Sequence, residues 1–101
     1  MEKDIICSCH KKKVRSEEEM RRLIHRLNRI EGQIRGIRGM VEKNDYCNDI
    51  LMQVAAANAA LNAFTRALLT SHIRTCVAQD IRDGNDEIID ELVGTLQKLM
   101  K

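Results

Sequence analysis

Residues 46–82 read YCNDILMQVAAANAALNAFTRALLTSHIRTCVAQDIR, with neither proline nor glycine among them. The centre is alanine-rich (Ala55, Ala56, Ala57, Ala59, Ala60, Ala63 and Ala67), and every residue in the stretch tolerates a helix. The composition predicts one continuous helix, roughly 55 Å long at 1.5 Å rise per residue. His72 and Cys76 are four apart, so they share a helix face about 6 Å from each other. That spacing suits two ligands of one metal ion. Cys47 precedes His72 by 25 residues, roughly 37 Å along an unbroken helix, and no single ion spans that distance. Either the helix breaks, with no breaker in the sequence, or Cys47 meets His72 and Cys76 of a second, antiparallel copy. The second solution is expected, so this stretch itself argues for a homodimer.

Asn44 and Asp45 are expected to form a turn and to cap the long helix at its start. Before them, Met20, Leu23, Ile24, Leu27, Ile30, Ile34, Ile37 and Val41 recur at steps of three and four. They predict an amphipathic helix from the capping box Ser16/Glu19 to about Lys43. So short a link makes the two helices an antiparallel hairpin. Gly32, Gly36 and Gly39 each cost roughly 1 kcal/mol inside a helix, and their spacing is read as room for another helix to come close. On the far side, Asp83-Gly84-Asn85 ends the long helix, with Gly84 as a left-handed cap residue. Ile88, Ile89, Leu92, Val93, Leu96, Leu99 and Met100 then predict a short third helix.

The chain has 101 residues, no proline and only 2% aromatic residues, which predicts an all-α fold that gains burial by pairing helices across subunits. Residues 1–15 carry no apolar periodicity and read as a flexible basic arm; residues 16–101 read as a single helical domain. No apolar run is long enough to span a bilayer, and the first residues lack a signal-peptide core. A cytoplasmic protein with its four cysteines reduced is therefore expected. The sequence has no glycine-rich phosphate loop, no serine–base arrangement and no carboxylate pair placed for hydrolysis, so it does not read as an enzyme.

The net charge of +2 is unevenly spread. Between Met20 and Val41 stand Arg21, Arg22, Arg26, Arg29, Arg35 and Arg38 against the single acid Glu31. Arg22, Arg26, Arg29 and Gln33 form a polar stripe apart from the apolar one, a surface suited to a polyanion. Two thiolates and one imidazole are a soft donor set that suits Cu(I) in trigonal geometry, or Zn(II) or Ni(II) with further ligands. Cys7, Cys9 and His10 are candidates for such accessory ligands. The neighbouring run Lys11-Lys12-Lys13 offers a second reading of the arm, as a grip on DNA phosphates.

Three segments carry a family resemblance: RLNRIEGQIRG at residues 26–36, DYCNDIL at 45–51 and SHIRTC at 71–76. From about Ser16 onward the chain resembles the CsoR/RcnR family of metal-responsive transcriptional repressors. The resemblance implies a three-helix protomer that dimerises through an antiparallel four-helix bundle, with the short third helix packed against it. It also implies pairing of dimers into a homotetramer that binds double-stranded operator DNA without a helix-turn-helix. Cys47, His72 and Cys76 match the copper-sensing branch, in which the first Cys comes from one subunit and the His–Cys pair from the other. Nickel-sensing relatives can share this set, and Cys7, Cys9 and His10 depart from the commonest copper-type pattern. Tyr46 and Glu91 match residues that hydrogen-bond to the ligating imidazole.

The function so implied is repression in the metal-free state, with DNA held by Arg22, Arg26, Arg29, Gln33 and Arg35 and released when Cu(I) binds. Ni(II) or Zn(II) is the alternative inducer. Two other classes fit the same residues: a persulfide or thiol-redox sensor linking Cys47 to Cys76, and a metal-storage bundle that never meets DNA. An exposed arginine stripe has no evident purpose in the last.

Overall fold

Two long helices, a π turn and two shorter helices make up most of residues 15–100, the part of the chain described by the computed structural model. Helix α1 spans Glu17–Glu42. It begins where the Ser16 hydroxyl accepts the Glu19 N–H at 3.1 Å, and Glu17, Glu18 and Glu19 place negative charge at the positive end of the helix dipole. At the other end Asn44 adopts a left-handed φ of 59°. The Asn44 N–H then reaches the Val41 carbonyl at 3.1 Å and the Asp45 N–H reaches that of Met40 at 3.0 Å, the paired bonds of a Schellman stop. Asn44 therefore closes α1 rather than capping the next helix. Helix α2, Cys47–His72, starts directly after Tyr46, whose carbonyl accepts the Asp49 and Ile50 N–H groups.

Helical residues continue without interruption to Arg82, yet not as the single α-helix expected. A π turn, Ile73–Val77, separates α2 from the short helix α3, Ala78–Arg82. The Ala78 N–H bonds the Ile73 carbonyl five residues back, as well as that of Thr75. The local sequence supplies a reason. Ile73, Thr75 and Val77 are β-branched, and such side chains crowd the preceding turn. The Thr75 hydroxyl also donates to the Ser71 carbonyl at 2.7 Å, a back-bond that loosens the regular ladder. Helix α3 ends on a second Schellman pair. Gly84 has φ 86°, its N–H bonds the Ile81 carbonyl at 3.1 Å, and the Asn85 N–H bonds that of Asp80 at 2.7 Å. Helix α4, Glu87–Leu99, follows. The described residues thus form the helical hairpin and short C-terminal helix expected, and contain no strand.

Two compact units are distinguished along the chain, 16–68 and a second that contains 69–100. The first holds α1 and most of α2, which the four-residue link folds into a hairpin; α1 contributes the buried Leu23 and Ile30, whereas no residue of α2 is fully buried. The second unit buries Cys76, Val77 and Ile88 together with Asp80.

Much apolar surface stays open. Met20, Ile24, Leu27, Ile34 and Val41 on α1 and Leu51, Met52 and Leu61 on α2 are exposed. Met20, Leu27, Ile34 and Val41 recur at every seventh position, the repeat that helices use to pair. A Cβ built on Gly36 or Gly39 would meet nothing within 4 Å, so the close approach read from the glycine spacing is not made within one chain. Among the described residues no helix is long and apolar enough to cross a membrane.

Candidate metal centre and basic cleft

Cys47 is the first residue of α2, a free and exposed thiol. Tyr46, just before it, is 72% exposed. His72 is the last residue of α2 and is half-buried, while Cys76 lies inside the π turn at 2% exposure. The expectation of four reduced cysteines is not met, because Cys76 is disulfide-bonded. Since Cys47 is free, that bond does not join the two candidate ligands. A cysteine ligates as its thiolate, so Cys76 becomes available only on reduction.

His72, Cys76 and Glu91, which is exposed on α4, belong to one compact unit; Tyr46 and Cys47 belong to the other. Among the described residues, no three His, Cys, Asp or Glu side chains gather closely enough to hold an ion. Cys7, Cys9 and His10, and the lysines that follow them, lie outside the described residues. By its chemistry the donor set still fits a soft ion, with one imidazole, one buried sulfur and one exposed thiol whose remaining approach is open. The π turn adds Thr75, whose hydroxyl sits 3.8 Å from the Cys76 sulfur. Sequence periodicity does not single out Thr75, because a regular helix would make it an ordinary surface residue.

On α1, Arg21, Arg22, His25, Arg26 and Arg29 line a surface cleft of about 400 Å³. Three of these, Arg22, Arg26 and Arg29, are stripe residues read from the sequence. Arg21 and His25, which the sequence reading did not select, complete the lining. A signal for His25 is present, since it stands four residues from both Arg21 and Arg29, but a search by formal charge passes over a neutral imidazole. Glu18 pairs with Arg22 at 3.8 Å with both side chains well exposed, a contact worth little in water. Gln33 does not line the cleft; it is half-buried, and its Oε1 is buried without a hydrogen-bond partner. Arg35 is exposed but also outside the cleft lining.

Residues 19–98 match the family described as metal-sensitive transcriptional repressor. The copper-sensing transcriptional repressor CsoR of Bacillus subtilis (strain 168) is 43% identical over 88 residues, covering 86% of this chain and 87% of that protein. The crystal structure of the copper-sensing repressor CsoR with Cu(I) from Geobacillus thermodenitrificans NG80-2 superposes with a TM-score of 0.83 at 44% identity. The match covers 87% of this chain and 93% of that one. A second solved structure, the nickel-responsive transcriptional regulator InrS, gives a TM-score of 0.68 at 40% identity, covering 84% and 97% of the two chains. A helical hairpin with a soft donor at each end of its long helix, a cluster of arginines on the other helix and these likenesses agree: the chain belongs to the family of metal-sensitive transcriptional repressors.

Proposed function

We propose that the chain is a copper-responsive repressor. Metal-free, it holds operator DNA through the basic cleft of α1, and it releases DNA when Cu(I) is held by Cys47 of one subunit with His72 and Cys76 of another. The observation that carries this reading is the placement of the three soft donors. Cys47 opens α2, while His72 and Cys76 stand at and beyond its other end across one π turn. Antiparallel pairing of two copies brings opposite ends of α2 together, which is the arrangement a three-donor site needs. The likeness to copper-sensing repressors supports Cu(I) as the ion, and two thiolates with one imidazole are the donors it prefers.

When bound, the ion would join Cys47 at the start of α2 in one subunit to His72 and Cys76 at the far end of α2 in another. His72 then keeps one ring N–H, which needs an acceptor to fix the ring; Tyr46 and Glu91 are the proposed polar partners. Arg22, Arg26 and Arg29, joined by Arg21 and His25, meet backbone phosphates, contacts that are salt-dependent and need no recognition helix. Gln33 and Arg35 extend the proposed DNA-facing surface along α1. The working assembly is a homodimer paired into a homotetramer, because the heptad row of α1 and most of α2 are left uncovered in one chain. Operator DNA as the proposed partner implies a cytoplasmic protein. By linkage, the factor by which the ion weakens DNA binding equals the factor by which DNA weakens ion binding.

Anaerobic titration of the reduced protein with Cu(I), with anisotropy of labelled DNA from upstream of its gene, tests this reading. Binding of one Cu(I) per protomer with loss of DNA is the expected result. Cu(I) binding that leaves DNA in place overturns the inducer assignment. The likeness to a nickel-responsive regulator favours one second reading, with Ni(II), or Zn(II), as inducer and Cys7, Cys9 or His10 as added ligands. Those ions belong in the same assay.

A further inference from the structure

The segment between the two proposed ligands of the second subunit contains a hydroxyl with two acceptors. The Thr75 Oγ1 donates to the Ser71 carbonyl at 2.7 Å and lies 3.8 Å from the Cys76 sulfur. A hydroxyl has one proton to give. The shorter contact takes it here, where the Cys76 sulfur belongs to a disulfide and is a weak acceptor. As a metal ligand Cys76 would bind as its thiolate, and an anionic acceptor draws a hydrogen bond roughly twice as strong as a neutral one. Thr75 is itself exposed, so its side chain contributes little packing. Its position inside the π turn also matters. The turn is defined by the Ala78 N–H reaching the Ile73 carbonyl, and such turns inside α-helices are frequent at functional sites.

We propose that Thr75 is a positioning residue of the metal centre. Its hydroxyl holds the π turn by its bond to Ser71 and turns to the Cys76 sulfur when that sulfur becomes a thiolate ligand. The proton stays on oxygen throughout, and only its acceptor changes. Two consequences follow from one group. The thiolate gains a donor that orients it, and the turn that spaces Cys76 from His72 loses a tie, so residues beyond the turn are freed to change register. This inference rests on the proposed Cys47–His72–Cys76 site, and its test separates the two.

Cu(I) affinity of the reduced protein is measured by competition with a chromophoric chelator for wild type, Thr75→Val, Thr75→Ser and Cys76→Ala. Amide hydrogen exchange over 73–78 is followed in the metal-free forms. Thr75→Val keeps the shape and removes the hydroxyl. It is expected to weaken Cu(I) binding about 10-fold, the scale seen when an outer partner of a ligand is lost, and to speed exchange in the turn. Thr75→Ser is expected to restore both. Wild-type affinity and exchange in Thr75→Val overturn the proposal, as does a Thr75→Ser variant as weak as Thr75→Val, because the hydroxyl would then be present without restoring either property. If Cys76→Ala also binds Cu(I) as wild type does, the three-donor site itself is wrong.

Discussion

Gly36 and Gly84 are the same residue in opposite circumstances. Gly84 stands at φ 86° between α3 and α4, where a Cβ has open space but the backbone itself is strained for any L residue. Gly84→Ala is therefore expected to lower stability by about 1–2 kcal/mol, the cost of a left-handed residue, read as an earlier urea midpoint. Gly36 lies inside α1, where an added methyl group would meet nothing within 4 Å. Gly36→Ala is expected to raise stability by about 1 kcal/mol through helix propensity alone, read as a later midpoint. A fall instead would show that a second copy comes close at Gly36. The left-handed role of Gly84 is legible from the sequence because Asp-Gly-Asn after a helical run has few other uses. Asn44 is less legible, since a residue between two helices can close the first or cap the second, and sequence alone does not rank them.

At the scale of elements, the apolar periodicity of α1 reports two faces at once. Leu23 and Ile30 are buried within the chain, whereas Met20, Leu27, Ile34 and Val41 are not. The sequence shows a single amphipathic helix because both rows are apolar and lie side by side. A charge placed on the outer row, Ile34→Glu, is expected to shift the protein toward monomer in sedimentation equilibrium while helicity by circular dichroism stays close to wild type. An unchanged mass would remove the outer row from the proposed interface. Helix α2 makes the same point by composition, as its alanines permit close packing but bury little area each, and none of its residues is fully buried in one chain. The π turn is the element that residue patterns do not foretell. Propensities rank residues for helix against strand or loop; they do not distinguish a bond to the fourth residue back from a bond to the fifth.

For the whole molecule, an uncovered apolar surface implies stability that depends on protein concentration. Melting temperature is expected to rise as concentration increases, and a constant value would argue for a self-sufficient chain. The double variant Arg26→Ala/Arg29→Ala should weaken operator binding and reduce the slope of log affinity against log salt by about two, one for each lost phosphate contact, with Cu(I) affinity unchanged. His72→Ala should keep much of the Cu(I) affinity through two thiolates yet uncouple it from DNA release. Release that persists in this variant would move the coupling away from the imidazole.

Local chemistry written in single residues was determined by the sequence alone. The Ser16 cap, the glycine stop at 84 and the helical class each depend on neighbours within a few positions. The stripe of Arg22, Arg26 and Arg29 is legible for the same reason, since helix geometry converts spacing into a shared face. Other features needed the folded chain. The cleft that adds Arg21 and His25, the burial of the Gln33 oxygen, the π register at 73–77 and the division at residue 68 all depend on which backbone bonds form and which side chains find neighbours. Those outcomes are set by competition among contacts of similar energy, and a pattern of residue types does not resolve it.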